Sequence, residues 1–170
     1  NLHAHTTLSD GKLTPEQSVK AYREKGYQIL ALTDHEAPCA HHGFTTDDFL
    51  MLTGYEAYIR PSSECKLDWF GPEIHLNLFA KDPDNLTFIG YDPNFCKYCS
   101  REYAESLPKS RDLGPRRFEP EYIQSFIDCA VENGYLVSYN HPVWSMDRTE
   151  DILNLNGCFS LEVFNTGSMM

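Results

Sequence analysis

Residues 14–36 read TPEQSVKAYREKGYQILALTDHE, and they place a helix directly before a short apolar run. Thr14 suits the N-cap, Pro15 the first helical position, and Gln17, three residues after the cap, completes a capping box. Gly26 supplies the stop, because glycine enters the left-handed conformation of a helix C-terminus without strain. The run QILAL that follows is apolar without alternation, as in a strand buried on both faces, and it ends in Thr-Asp-His. The same order recurs in PEYIQSFIDCAVENG from Pro120, with Ile123, Phe126, Ile127, Ala130 and Val131 at helical spacing and Gly134 as the stop. YLVSYNHP follows it at once. Helix-then-strand repeats predict an α/β fold with parallel strands.

Further strands are expected in FLMLTGYEA, EIHLNLFA and CFSLEVFN, and a weaker helix around Thr149–Leu155. Residues 1–5 also read as a strand, one already in mid-course. The segment of about 92–119 is polar and rich in Pro, Arg and Cys, which predicts a long, partly helical excursion and not a second domain. The whole of 1–170 is then one domain, and its abrupt start and end suggest that it is incomplete at both.

Of the 170 residues, 41% are hydrophobic and 13% aromatic, enough for a packed core. No run approaches the ~20 apolar residues that cross a membrane. The net charge of −11 argues against an extended nucleic-acid surface, which would carry a basic stripe. A phosphorylated substrate stays compatible, since bound cations reverse the sign of a site locally. Six cysteines include one CxxC, Cys96 and Cys99, with no second pair to complete a four-thiolate site. Cys129 and Cys158 sit among apolar residues. Reduced thiols and a cytoplasmic location are the expectation.

Polar residues recur where the strands end. Asp34 and His35 close one run, Glu56 another, His141 a third, and Glu162 with Asn165 the last. In a parallel β/α barrel those ends form the active-site face. Each residue has a plainer reading alone: His3 and His5 as a solvated strand edge, His35 as a turn cap, His141 as a loop residue, His75 as a satisfied core histidine. On alternate strand positions His3 and His5 share a side and can hold one ion. His75, inside an apolar strand, requires a buried partner. His41 and His42, in a polar loop, are expected at the surface and uninvolved.

Taken in order, NLHAHTTLSDG, LALTDHE, LTGYEA, EIHLNLFA and YNHP resemble successive motifs of the polymerase-and-histidinol-phosphatase (PHP) family of metal-dependent phosphoesterases. The resemblance runs from residue 1 to about residue 165. It implies a distorted barrel of seven βα units and two or three divalent ions, zinc, manganese or iron. By motif, His3 and His5 would bind a first ion, and Glu56 would bridge it to a second held by His75 and His141. Asp10 and His35 would bind a third, with Asp34 behind them orienting a ligand histidine. The attacking group would be a metal-bridging hydroxide held by Glu56, His5 and His141. The family's closing Asp-x-His does not occur after residue 141. The expectation is a chain that stops before its last βα unit, since Glu162–Gly167 resembles the segment preceding that motif.

The implied activity is hydrolysis of a small phosphomonoester, of the histidinol-phosphate or nucleotide type. Phosphodiester or exonuclease action on nucleic-acid ends is the alternative, and a degenerate metal-binding domain without turnover is a third. Substrate selection would fall to loops near 36–47, 57–72 and 92–119. Of Arg60, Arg101, Lys109, Arg111, Arg116 and Arg117, Arg60 is the first candidate to hold substrate, four residues after Glu56.

Overall fold

The computed structural model describes residues 1–61, 73–147, 150, 152 and 154–165. Helix α1 (Pro15–Glu24) carries both halves of the capping box, the Gln17 N–H donating to Thr14 Oγ1 and the Thr14 N–H to Gln17 Oε1. Gly26 follows with φ +81°. β1 (Ile29–Ala31) pairs in parallel with β2 (Leu50–Leu52), and α1 covers them through Val19 against Leu30, Leu32, Phe49 and Met51.

A second sheet has the order β3 (Gly54–Ile59), β4 (Ile74–Ala80), β5 (Tyr135–Tyr139), β6 (Cys158–Leu161). Here the expected parallel repeat fails: β3/β4 and β4/β5 are antiparallel, and only β5/β6 is parallel. Among the described residues the strands form two small sheets and no closed barrel. An unbroken apolar run reports burial on both faces, and strand direction leaves no mark on it. β3 and β4 are buried almost throughout because helix α3 (Pro120–Glu132) and the 92–119 excursion cover one face, while Glu56 and His75 turn into the candidate site. The main core joins Phe126, Ile127 and Ala130 of α3 to Leu76, Leu78 and Val137 of the sheet.

Residues 1–5 form no regular strand, though they run beside β1. Ala31 N–H donates to Asn1 O, and the next bond goes from Thr33 N–H to Ala4 O, one residue out of step. The Asn1 side-chain amide takes the His3 carbonyl instead, at 2.8 Å. The excursion contains a short helix, α2 (Arg101–Ser106), as expected. Of the weak helix near 149–155, residues 149, 151 and 153 lie outside the described residues, as does Cys65. Cys129 is buried and Cys158 half-buried, and all five described cysteines are free thiols. Among the described residues no helix is long and apolar enough to cross a membrane.

Candidate metal centre

Glu56 is the centre of the site. Its strand carries it into the interior, fully buried, where each carboxylate oxygen faces its own group of imidazoles. Oε1 lies 3.3 Å from His3 Nε2, 3.2 Å from His75 Nδ1 and 3.3 Å from His141 Nε2. Oε2 lies 2.9 Å from His5 Nε2 and 3.2 Å from His35 Nδ1. The side-chain amide of Asn140 donates to Oε1 at 2.8 Å.

Local chain geometry delivers these groups. The His35–Glu56 bridge extends β1 alongside β3, and β4 brings His75 across from Tyr58. His141 follows β5 with φ +24°, and Glu36, next to His35, has φ +49°. Both are non-glycine residues in the left-handed region, held there by their surroundings. The Thr6–Gly11 turn closes through Gly11 N–H to Thr6 O at 2.8 Å. A Cβ on Gly11 would collide with the His5 carbonyl, so glycine is what lets Asp10 fold back. Asp10 Oδ1 then sits 2.7 Å from His5 Nδ1, with Oδ2 3.8 Å from His35 Nε2.

The electrostatics are those of histidines packed around one carboxylate. Burial works against charge on His3 and His75, but Glu56 outweighs it and lifts both to about 9, helped by Glu162 and Glu73 respectively. His5 is lifted to about 10 against burial by Asp10 and Glu56. His35 goes the other way, down to about 4, chiefly by burial. Asp10 is drawn down to about 2 by its bond with His5. Burial opposes ionisation of Glu56, yet the surrounding imidazoles hold it well below the usual carboxylate range. His3 Nε2 and His5 Nε2 face each other at 3.1 Å.

The residues suit divalent cations. Two groups of donors, His3–Glu56–His141 and His5–His35–Glu56, each lie within 4.8 Å, and Glu56 belongs to both. Ligands at about 2.1 Å from one ion stand about 3.0–3.4 Å apart, close to the 2.9–3.3 Å between the Glu56 oxygens and these imidazoles. Glu56 Oε2 and His35 Nδ1 are buried and make no hydrogen bond. Imidazole nitrogen with carboxylate oxygen is a donor set for zinc, manganese or iron. The structure therefore brings His3, His5, Asp10, His35, Glu56, His75 and His141 together, around a cavity of about 350 Å³ that Ala4, Trp144 and Asn165 complete. His3 stands with His141 around Glu56 and His5 with His35, while His3 Nε2 and His5 Nε2 also lie 3.1 Å apart.

Other expectations meet different contacts. Asp34 orients no histidine ring; its oxygens accept from Thr6 N–H, Thr6 Oγ1 and Ser9 Oγ, at 2.7, 2.8 and 2.6 Å. It anchors the turn that carries His5 and Asp10. Arg60 lies outside the cavity lining, its guanidinium buried over Tyr58 and Phe95 and 3.8 Å from Glu73. Arg116 is buried against Glu36, with Nη2 2.7 Å from Oε2, and Lys109 Nζ donates to carbonyls closing α2. His41, expected at the surface, is buried and stacked near Phe44, and burial lowers its pKa. His42 is exposed, 3.5 Å from Asp84. Cys96 and Cys99 are half-buried thiols, and Cys99 Sγ donates to Glu36 O.

Glu162 is the residue whose part sequence reasoning left unassigned. It lies 3.2 Å from His3 Nδ1, accepts from His141 N–H, and is held by Asn165. Its place at a strand end beside Asn165 was the available signal.

The PHP domain family profile matches residues 1–153. The 5'-3' exoribonuclease Rnm of Salmonella typhimurium is 32% identical over 117 residues, 67% of this chain and 39% of the relative. Its Escherichia coli counterpart is 31% identical over the same shares. The chain thus matches about two fifths of the length of these curated relatives. A Bifidobacterium adolescentis protein named as a metal-dependent phosphoesterase superposes with TM-score 0.55 at 18% identity, over 96% of this chain and 76% of that one. A Chromobacterium violaceum amidohydrolase, with sulfate bound and no metal, superposes with TM-score 0.56 at 18% identity, over 99% and 79%. These likenesses show a shared fold. With a family profile covering residues 1–153, the chain belongs to the PHP domain family.

Proposed function

We propose that this chain carries the metal centre of a phosphoester hydrolase, with His3, His5, Asp10, His35, Glu56, His75 and His141 as the ligand set. The observation that carries this reading is the division of one buried carboxylate, Glu56, between two imidazole groups. When bound, two or three divalent ions would supply a water of pKa about 7 and neutralise charge on the phosphoryl oxygens.

The chain's own residues supply the geometry. Glu162, accepting from His3 Nδ1–H, leaves His3 Nε2 as the ligand atom, and Asp10 does the same for His5. Asn140 holds the Glu56 carboxylate in plane by donating to Oε1. Ser145 Oγ, 3.4 Å from His141 Nδ1, stands behind that ring. Strands β3 and β4 and the closed Thr6–Gly11 turn then keep these atoms within the tolerance that catalysis demands.

A small phosphomonoester fits the acidic chain and the modest cavity. The name of the Rnm relatives favours a second reading, attack at the 5' end of RNA. Purified protein supplied with manganese or zinc should hydrolyse an aryl phosphate, and comparison with a 5'-phosphorylated oligoribonucleotide ranks the two substrates. Fewer than two ions per chain, with neither substrate cleaved, would instead indicate a metal-binding domain without turnover.

A further inference from the structure

We infer that Trp144 forms a nucleobase subsite beside the metal centre, so that the ester held there is one whose organic group bears a base. This rests on the phosphoester-hydrolase reading and names the substrate class within it. Trp144 lines the same cavity as the histidines, yet its side chain is still 46% exposed. Its ring stands 5.0 Å from His141 and 5.2 Å from His75, centroid to centroid. A phosphoryl group among the histidines would therefore have an aromatic surface immediately beside it.

That surface is fixed in place. The 141–147 turn closes through Ser145 N–H to His141 O at 3.1 Å and Asp147 N–H to Pro142 O at 3.0 Å. Tyr139 Oη donates to Asp147 Oδ2 at 2.6 Å, tying the turn to β5. A ring on a tethered turn loses little freedom when a partner stacks on it. The same turn also exposes Val143 and Met146, but neither lines this cavity.

Charge points the same way. The chain carries a net charge of −11, and two cations of the 92–119 excursion are already engaged, Arg116 with Glu36 and Lys109 with the end of α2. Stacking holds a base without positive charge and with little dependence on its identity. An acidic protein can in this way grip a nucleotide that its surface would otherwise repel.

The test compares adenosine 5'-monophosphate with ribose 5-phosphate, its base-free counterpart. Both turnover with manganese and equilibrium binding to the metal-free protein are measured. In the unmodified protein the nucleotide should bind about tenfold more tightly and show a correspondingly higher kcat/KM. Trp144→Ala should remove that preference, lowering binding and kcat/KM for the nucleotide about tenfold more than for ribose 5-phosphate, and Trp144→Phe should restore part of it. An equal loss on both compounds would overturn the subsite and make Trp144 a support for the His75 and His141 rings. So would an unaltered preference in Trp144→Ala. Binding preference without turnover of either compound would leave the subsite standing and count against the hydrolase reading. Thermal unfolding of both variants checks that they fold.

Discussion

Glu56 concentrates the chemistry of this molecule in two oxygen atoms. Glu56→Gln keeps the shape but replaces one oxygen by a donor, so one imidazole group loses its shared acceptor. Metal content should fall below that of the unmodified protein and the rate by about a hundredfold or more, measured by elemental analysis and aryl phosphate turnover. His42→Ala, exposed and 3.5 Å from Asp84, should alter neither and move stability by less than about 0.5 kcal/mol. Normal activity in Glu56→Gln would sink the bridging role. Protonation provides a second check. His3 and His75 rise from 6.5 to about 9 in the metal-free protein, so their contribution to stability is complete below pH 6.5 and lost as pH rises through 9. Metal binding must expel those protons, so affinity should grow with pH. Melting temperatures taken with and without metal should consequently diverge between pH 6.5 and 9, the loaded protein gaining relative to the bare one. These residues were legible in the sequence because histidines at strand ends are costly without a shared partner. The contact of Glu162 with His3 was not, because it joins segments far apart in sequence, and the burial of His41 is set by how its loop packs.

The Thr6–Gly11 turn and helix α3 act at the scale of elements. Gly11→Ala would push a methyl group into the His5 carbonyl and open the turn, carrying Asp10 away from His5. The expected result is weaker metal binding with a modest loss of stability, read by calorimetry and thermal unfolding respectively. Asp34→Asn should have a similar effect through Thr6 and Ser9, since it leaves one of three donors without a proper acceptor. Helix α3 carries the core instead: Phe126→Ala should cost about 3–5 kcal/mol in denaturant unfolding, because Phe126 is fully buried against the sheet. Helix α1 was readable from its capping box and Pro15, and α3 from Pro120, its apolar spacing and Gly134. The antiparallel pairing of β3, β4 and β5 was not, since direction depends on how the chain returns and leaves no periodicity behind.

For the molecule as a whole, the ligand candidates come from segments as distant as His3 and His141, so metal binding should link folding of the two ends. Saturating manganese or zinc, at a hundred times its dissociation constant, stabilises by about 2.7 kcal/mol, and a chelator should reverse the shift in melting temperature. An unchanged melting temperature would count against the shared ligand set. What the sequence by itself determined was local: two helices with their start and stop residues, the apolar strands, and the histidines and carboxylates of one candidate site, all set by short-range sterics and spacing. Tertiary structure alone decided which imidazole faces which oxygen of Glu56, that Asp34 anchors a turn, and that Arg60 and Arg116 are spent on internal contacts. Those outcomes depend on distances between segments that share no sequence neighbourhood, and only packing sets such distances.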